Sequence, residues 1–457
     1  MRNARARSSA GSMPTRGLSR RSLMQSAGGL SIAAAVPFAL TACGTSGGTT
    51  GGKTAIRFLY ATGDETWNSV AKGVADAFNA KSATAIVELE PLPAGTDYPT
   101  AMKTMDATGN WPALVDMRDT LTYLEAGKLA PIPASVTDLL NDEVYAPVED
   151  GDVYIVPTTA LNGELGFNMV YDKDYFAEHS LAVPTTYAEF IALLDAIKAN
   201  GDAPLATAAG EIWPSDQLWK PLAAPTFAQY SEAGGFWNAV RAGDASLADL
   251  REPLQRLKDI TDEYVLEGWQ STQDAQTTTL LVNRQAVMAT SSAGIGRLND
   301  VNKVDPDFNA GIFYLPADDG KLNVLKNSVN GDTASGFAIS AQAQEDGKQY
   351  DAAVEFLEFY FSVEACDLME ETGMIAPNIK ASDEVVRNST IPGAEDYFAL
   401  LANPSLNWFA NETTWAGFST FHTFFRQARI EMQDGQTTID ECIAKAQEEF
   451  DNQAENE

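Results

Sequence analysis

The sequence predicts an α/β fold spread over two domains, on three observations. Short apolar runs alternate with amphipathic helical patterns at the spacing of strand and helix. The chain has 457 residues, and the 415 that follow residue 42 are too many for one core and enough for two. Its hydrophobic fraction of 45% is ordinary for a packed globular body, which argues against disorder.

Ile56-Arg-Phe-Leu-Tyr-Ala61 is apolar and aromatic and predicts a buried strand. After Thr62-Gly-Asp-Glu-Thr-Trp67 comes a helix with Val70, Val74, Ala77 and Phe78 on one face. Ala85–Glu90 predicts a second strand, residues around Tyr98 to Ala107 a helix, and Pro112–Met117 a third strand. Another helix ends near Gly127, where glycine suits a C-cap. Such alternation means a parallel sheet. Ligands of these sheets sit beyond the carboxyl ends of the strands. That geometry singles out Asp64, Glu65 and Trp67 after the first strand, and Asp116, Arg118 and Asp119 after the third.

Val148–Pro157 predicts a hairpin turning at Asp150-Gly151. Leu165–Asn168 predicts a strand, Tyr171–Phe176 the opening of a helix, and Pro184–Phe190 another, running on through Leu193, Leu194 and Ile197 to Asn200-Gly201. Pro204-Leu-Ala-Thr207 is the following strand. The ordered set, Asp150 to Pro157, Phe167 to Phe176 and Pro184 to Phe190, resembles the extracellular solute-binding proteins of ABC importers, specifically the carbohydrate-binding family that includes maltose-binding protein. Met169-Val170 departs from the family's second segment as an insertion. Arg284–Ser292 resembles a family strand that passes back between the lobes, with Ser292 and Gly294 where that family has glycine and tryptophan. Tyr350–Phe361 is similar to its amphipathic helix near the third crossing, and Gly373–Pro377 to its hinge segment. Asp434–Ile443 resembles its closing helix start, with Thr438 as N-cap.

The chain opens with Arg2, Arg5, Arg7, Arg16, Arg20 and Arg21 and has no acidic residue before Asp64. Ala27 to Leu40 is apolar but too short for a membrane span. It ends in Leu40-Thr-Ala-Cys43, which resembles a bacterial lipobox, and Gly44–Gly52 has the composition of a flexible tether. The resemblance implies a leader of residues 1–42, cleaved before Cys43, which becomes lipidated. Localisation follows: extracytoplasmic, held by lipid at the outer face of the bacterial cell membrane. Ser19-Arg-Arg-Ser-Leu23 resembles part of a twin-arginine signal, and the export route stays open.

Without the leader's six arginines the chain carries 25 basic residues against 63 acidic ones, a formal charge of −38. That excess argues against nucleic acid as partner and against polybasic membrane binding. Beyond Cys43 only Cys366 and Cys442 remain, and two buried free thiols are preferred over a disulfide. Only His179 and His422 occur, too few for a His-rich metal site, and there is no H-E-x-x-H. Gly44-Thr-Ser-Gly-Gly48 spells a nucleophile elbow but lies in the tether. No P-loop or G-x-G-x-x-G appears, so ATP hydrolysis belongs to a separate subunit. No cofactor, metal or catalytic residue is expected.

The resemblance implies two lobes joined by three crossings, with a ligand cleft that closes by hinge bending. The tether is 43–53. One lobe takes 54–157 and 290–372, the other 160–287 and 376–457. Sugar hydroxyls call for polar partners such as Asp, Asn and Arg, and sugar faces for aromatic rings. The candidates are Asp64, Trp67, Asp116, Arg118 and Asp332 in the first lobe, and Asn162, Trp213, Asp216, Trp415 and His422 in the second. Trp219, Trp237 and Trp269 sit in helical patterns and fit a core role. The implied function is a monomeric sugar-binding subunit serving an ABC permease. The acidic candidates favour a neutral sugar. The alternatives are a lipid-anchored glycoside hydrolase, which needs two flanking carboxylates, and a binding protein for a polyamine or peptide.

Overall fold

In the computed structural model the described residues are 49–50, 52–62, 65–92, 98–141, 151–159, 167–326, 336–377, 379–385, 391–410, 415 and 417–455. They lie within one compact unit, Ser46–Glu457. The described strands are β1 (Thr49–Thr50), β2 (Lys53–Ala61), β3 (Ala85–Leu92), β4 (Leu114–Met117), β5 (Leu129–Ala130), β6 (Asn168–Asp172), β7 (Leu205–Ala206), β8 (Met288–Ser291), β9 (Ala310–Phe313), β10 (Leu322–Lys326), β11 (Gly336–Ser340) and β12 (Leu406–Ala410).

Strands β2, β3 and β4 pair in parallel, as the strand–helix alternation requires. Strand β11 then enters antiparallel between β4 and β5 and completes the first sheet. Phe58, Phe337 and Phe356 meet above it, where helix Lys348–Tyr360 packs its apolar stripe. Four strands in the order β7-β8-β6-β9 build the second sheet. Its core is aromatic: Trp219, Trp237, Phe418, Phe421, Phe425 and Phe450 surround one another, which confirms a packing role for Trp219 and Trp237. Trp269 is buried as well. Strands β10 and β12 form a separate parallel pair. This is a two-lobed α/β fold.

The second crossing falls later than expected. Strand β8 stays in the second sheet beside β6, and so does β9. Residues 290–313, assigned above to the first lobe, therefore extend the second. The reason is register: Asn168 to Tyr171 and Ser291 to Met288 are opposed antiparallel, so β8 is an interior strand that cannot leave. The chain regains the first sheet only at Gly336, after residues 327–335, which lie outside the described set. There the backbones are so close that a Cβ on Gly336 would meet the Val156 carbonyl oxygen at 2.3 Å. Gly373 closes helix Val363–Thr372 in the left-handed region, and Ala376, Ile379 and Val385 after it still pack in the first core, so residues 376–385 belong with the first lobe rather than the second.

Local signals mostly hold. Thr186 caps helix Tyr187–Ala199 through Glu189 N. Thr438 and Glu441 exchange side-chain and backbone hydrogen bonds as a capping box. Gly127, one residue past the C-cap Ala126, has φ 66°. Residues 165–166 of the expected strand lie outside the described residues; the described strand runs Asn168–Asp172, and Met169 and Val170 are fully buried in it. Asp172 then caps the next helix, accepting from Asp174 N and Tyr175 N at 3.0 Å. Residues 148–150 of the expected hairpin lie outside the described residues; the remainder reaches β11 through the bridge Val156↔Phe337. Cys366 and Cys442 are free and buried in different cores, one under each sheet, as the thiol reading expected.

Candidate functional site

The chain leaves the first sheet after Val156, at the edge where β4 ends and β11 begins, and enters the second at Asn168. Asn168 lies opposite Ser291, so β6 begins at the edge where β8 ends, and β7 runs parallel to β8. The carboxyl ends of β4, β7 and β8 thus flank one junction, the position where such sheets bind ligands.

On the second-lobe side, the loop after β7 is built stiffly. Gly210 N donates to Thr272 O at 2.9 Å, and Ser215 Oγ to Ile212 O at 2.7 Å. Ile212 has φ 66° and ψ −55°, and Trp213 N donates to Glu211 O at 2.7 Å. This is the γ-turn of the rarer, positive-φ kind, an outlier for a β-branched residue. It delivers Trp213 to solvent, 36% exposed. Below it lies a polar floor. The Thr290 hydroxyl sits 3.0 Å from both Thr207 Oγ1 and Gln217 Oε1. Gln217 Nε2 donates to Asp274 Oδ1 at 2.7 Å, and Arg297 holds the same carboxylate from the other side.

Helix Asp216–Ala228 starts directly after the 3-10 turn Trp213–Ser215 and carries Pro221 and Pro225 inside it. Packing of Trp219, Leu222, Ala223 and Phe227 overrides that helix-breaking signal. Its first residue is the hub of a charge cluster shared with helix Phe418–Gln433. Asp216 Oδ1 accepts from Arg429 Nη2 at 2.6 Å, and Oδ2 from Arg426 Nε at 2.8 Å. Lys220 Nζ lies 3.6 Å and His422 Nε2 3.4 Å from Oδ2. Burial alone would raise the Asp216 carboxyl, but Arg426, Lys220, His422 and Arg429 hold it well below the usual carboxylate range. Burial, reinforced by Arg426, pushes His422 down to about 3 against the pull of Asp216. Its contact with Asp216 is thus made by a neutral ring. Lys220 also lies 4.9 Å from the Phe167 ring centre, at the point where the chain enters this lobe.

On the first-lobe side, Asp116 is buried at the end of β4, and its Oδ2 accepts from the half-exposed Arg118 at 2.7 Å. Tyr98 donates its hydroxyl hydrogen to the Asp116 carbonyl. Burial, then Asp116, raises that phenol well above its ordinary value.

Of the sequence-derived candidates, Asp216 and His422 meet, Trp213 stands next to them, and Asp116 pairs with Arg118. Two tryptophans are corrected. Trp67 is buried in the first core, edge-on to Tyr60 at 6.1 Å. Trp415 is fully buried against Phe418 and Phe450, with Arg241 over its ring, so no face is left for a ligand. Asp64, Asn162 and Asp332 lie outside the described residues, as does Cys43. Sequence reasoning missed Lys220, Arg426 and Arg429. The signal was there: Asp216 and Lys220, like His422 and Arg426, are spaced i, i+4 on helical patterns.

Residues 73–393 match the family model described as bacterial extracellular solute-binding protein. The chain belongs to that family. A curated member, the multiple sugar-binding protein of Streptococcus mutans serotype c, is 22% identical over 336 residues, covering 71% of this chain and 76% of its own. Solved structures share the solute-binding fold. A chitin oligosaccharide binding protein gives a TM-score of 0.71 at 19% identity, over 88% of this chain and 98% of its own. The solute-binding protein RafE with raffinose gives 0.66 at 15%, over 88% and 100%. A Bacillus licheniformis sugar transporter protein with stachyose gives 0.67 at 17%, over 88% and 100%. Among the described residues of this solute-binding protein, no helix is long and apolar enough to cross a membrane.

Proposed function

We propose that the protein is the substrate-binding subunit of an ABC importer. It captures a mono- or oligosaccharide between its lobes and delivers it to a membrane permease whose ATPase is a separate chain. The observation that carries this is Trp213, held open by a strained turn beside a buried polar floor at the strand ends. An exposed indole offers a sugar ring an apolar platform, and the half-exposed Arg118 beside Asp116 offers a hydroxyl partner. Sugar binding by the curated relative and by the solved neighbours supports the ligand class. Closure is driven by contacts that exist only when both lobes touch the ligand. Cys43 carries the lipid that keeps this body at the outer face of the membrane, and Cys43→Ser is expected to release the protein from the membrane fraction.

The test follows tryptophan fluorescence and melting temperature against a panel of mono- and oligosaccharides, with the sugar recovered and analysed afterwards. A ligand at a hundredfold excess over its Kd adds about 2.7 kcal/mol to stability. One saccharide that shifts both signals and is recovered intact supports the proposal. A cleaved product points to a hydrolase. A response confined to polyamines or peptides overturns the ligand class.

A further inference from the structure

The cluster around Asp216 holds, among the described residues, more positive charge than its one described carboxylate answers. Among the described residues, Asp216 is the sole acidic partner of Lys220, Arg426 and Arg429. With His422 neutral, three cations face one anion among the described residues, in a chain whose formal net charge is −32. Arg429 is structural: it is fully buried, beside the Trp219 and Phe425 rings at 4.7 and 5.0 Å. Its Nη1 has no hydrogen-bond partner among the described residues. Lys220 and Arg426 differ, keeping 20% and 22% of their side chains exposed. Burial lowers the Lys220 ammonium; Asp216 pulls it up, while Arg426 and Arg429 push it further down. Half-buried cations with an unanswered charge are costly, and a bound anion relieves that cost.

The place matters as much as the charge. Lys220 touches Phe167 at the entry to the second lobe, and Asp216 follows two residues after Pro214, directly behind the open Trp213. Arginine forks and ammonium groups are the usual partners of carboxylate and sulfate oxygens.

We infer that the saccharide bound at this site carries an anionic substituent, a uronate carboxylate or a sulfate ester, received by Lys220 and Arg426. The inference rests on the saccharide reading above and reverses the neutral sugar favoured by the acidic candidates in the sequence.

The experiment compares matched probes by calorimetry: trigalacturonic acid against galactotriose, glucuronic-acid-branched xylotriose against xylotriose, and a sulfated disaccharide against its unsulfated parent. An acidic member is expected to bind at least about tenfold more tightly than its neutral match, and the gap narrows as salt rises from about 0.05 M to about 0.5 M. Uronate and sulfate arms separate the two sources of charge. Lys220→Gln is expected to reduce the acidic-to-neutral affinity ratio, and Arg426→Gln to reduce it further. If Arg426→Gln does not fold, Lys220→Gln alone decides, because Lys220 lies 3.6 Å from Asp216 and is not part of its short hydrogen bonds. Neutral sugars that bind as tightly as acidic ones, with no salt effect, overturn the inference and leave the saccharide reading intact. Failure of both kinds overturns both.

Discussion

Arg297 Nη2 donates to both carboxylate oxygens of Asp274 at 2.7 Å each, and both side chains are buried. Arg297 also donates to Thr278 Oγ1 at 2.7 Å, and Asp274 accepts from Gln217, so the pair anchors the polar floor from below. Removing one member strands the other charge. Arg297→Met is therefore expected to cost about 3–5 kcal/mol in urea unfolding, while Asp274→Asn with Arg297→Met costs less than the sum of the single changes. Additive losses would show that the pair is not coupled.

Gly336 faces the Val156 carbonyl where the chain re-enters the first sheet. A methyl group there forces the Val156↔Phe337 bridge apart. Gly336→Ala is expected to lower stability by about 1–3 kcal/mol, seen as an earlier denaturation midpoint. An unchanged midpoint would mean that the two backbones can separate freely.

His422 gives a pH signature with a definite sign. Its pKa falls from an ordinary 6.5 to about 3 on folding, so the unfolded chain binds a proton more readily than the folded one. The stability that depends on the neutral ring is complete above pH 6.5 and is lost as pH falls towards 3. Between pH 7.5 and 5 this amounts to about 2 kcal/mol. His422→Gln should flatten that part of the stability–pH curve; identical curves would discount the imidazole.

Trp213 is 36% exposed and follows the strained turn at Ile212. Trp213→Ala is expected to weaken saccharide binding by about 1–3 kcal/mol, as loss of an aromatic anchor does, and to leave the melting temperature nearly unchanged. Equal affinity in the variant would remove the platform from the site.

Much of the fold was legible because periodic burial leaves a direct trace. The β2 and β4 runs, the helix cap at Thr438 and the parallel pairing of β2, β3 and β4 followed from local pattern. The return of β11 between β4 and β5 did not, since strand order is set by long-range pairing that no window of sequence contains. Of the candidates the strand-end rule named, Asp116 pairs with Arg118, and Trp213 lies three residues before the buried Asp216. The rule also nominated Trp67, because a tryptophan after a strand looks alike whether it faces solvent or core, and Trp415 was named only for preceding the last helix. Arg429 was invisible for the opposite reason: arginine is usually a surface residue, and only the fold supplies the buried Asp216 that holds it.

The place of β11 also sets an order of events. From Met117 to Gly336 is 219 residues (336 minus 117), yet the two end up opposite each other. A chain that emerges N-terminus first therefore displays the β4 edge long before its partner exists. The whole second-lobe strand set, from Asn168 to Phe313, emerges in the interval. Of the two large sheets, the one begun first is closed last, and its open edge needs shielding throughout, because unpaired strand edges are where chains join the wrong neighbour.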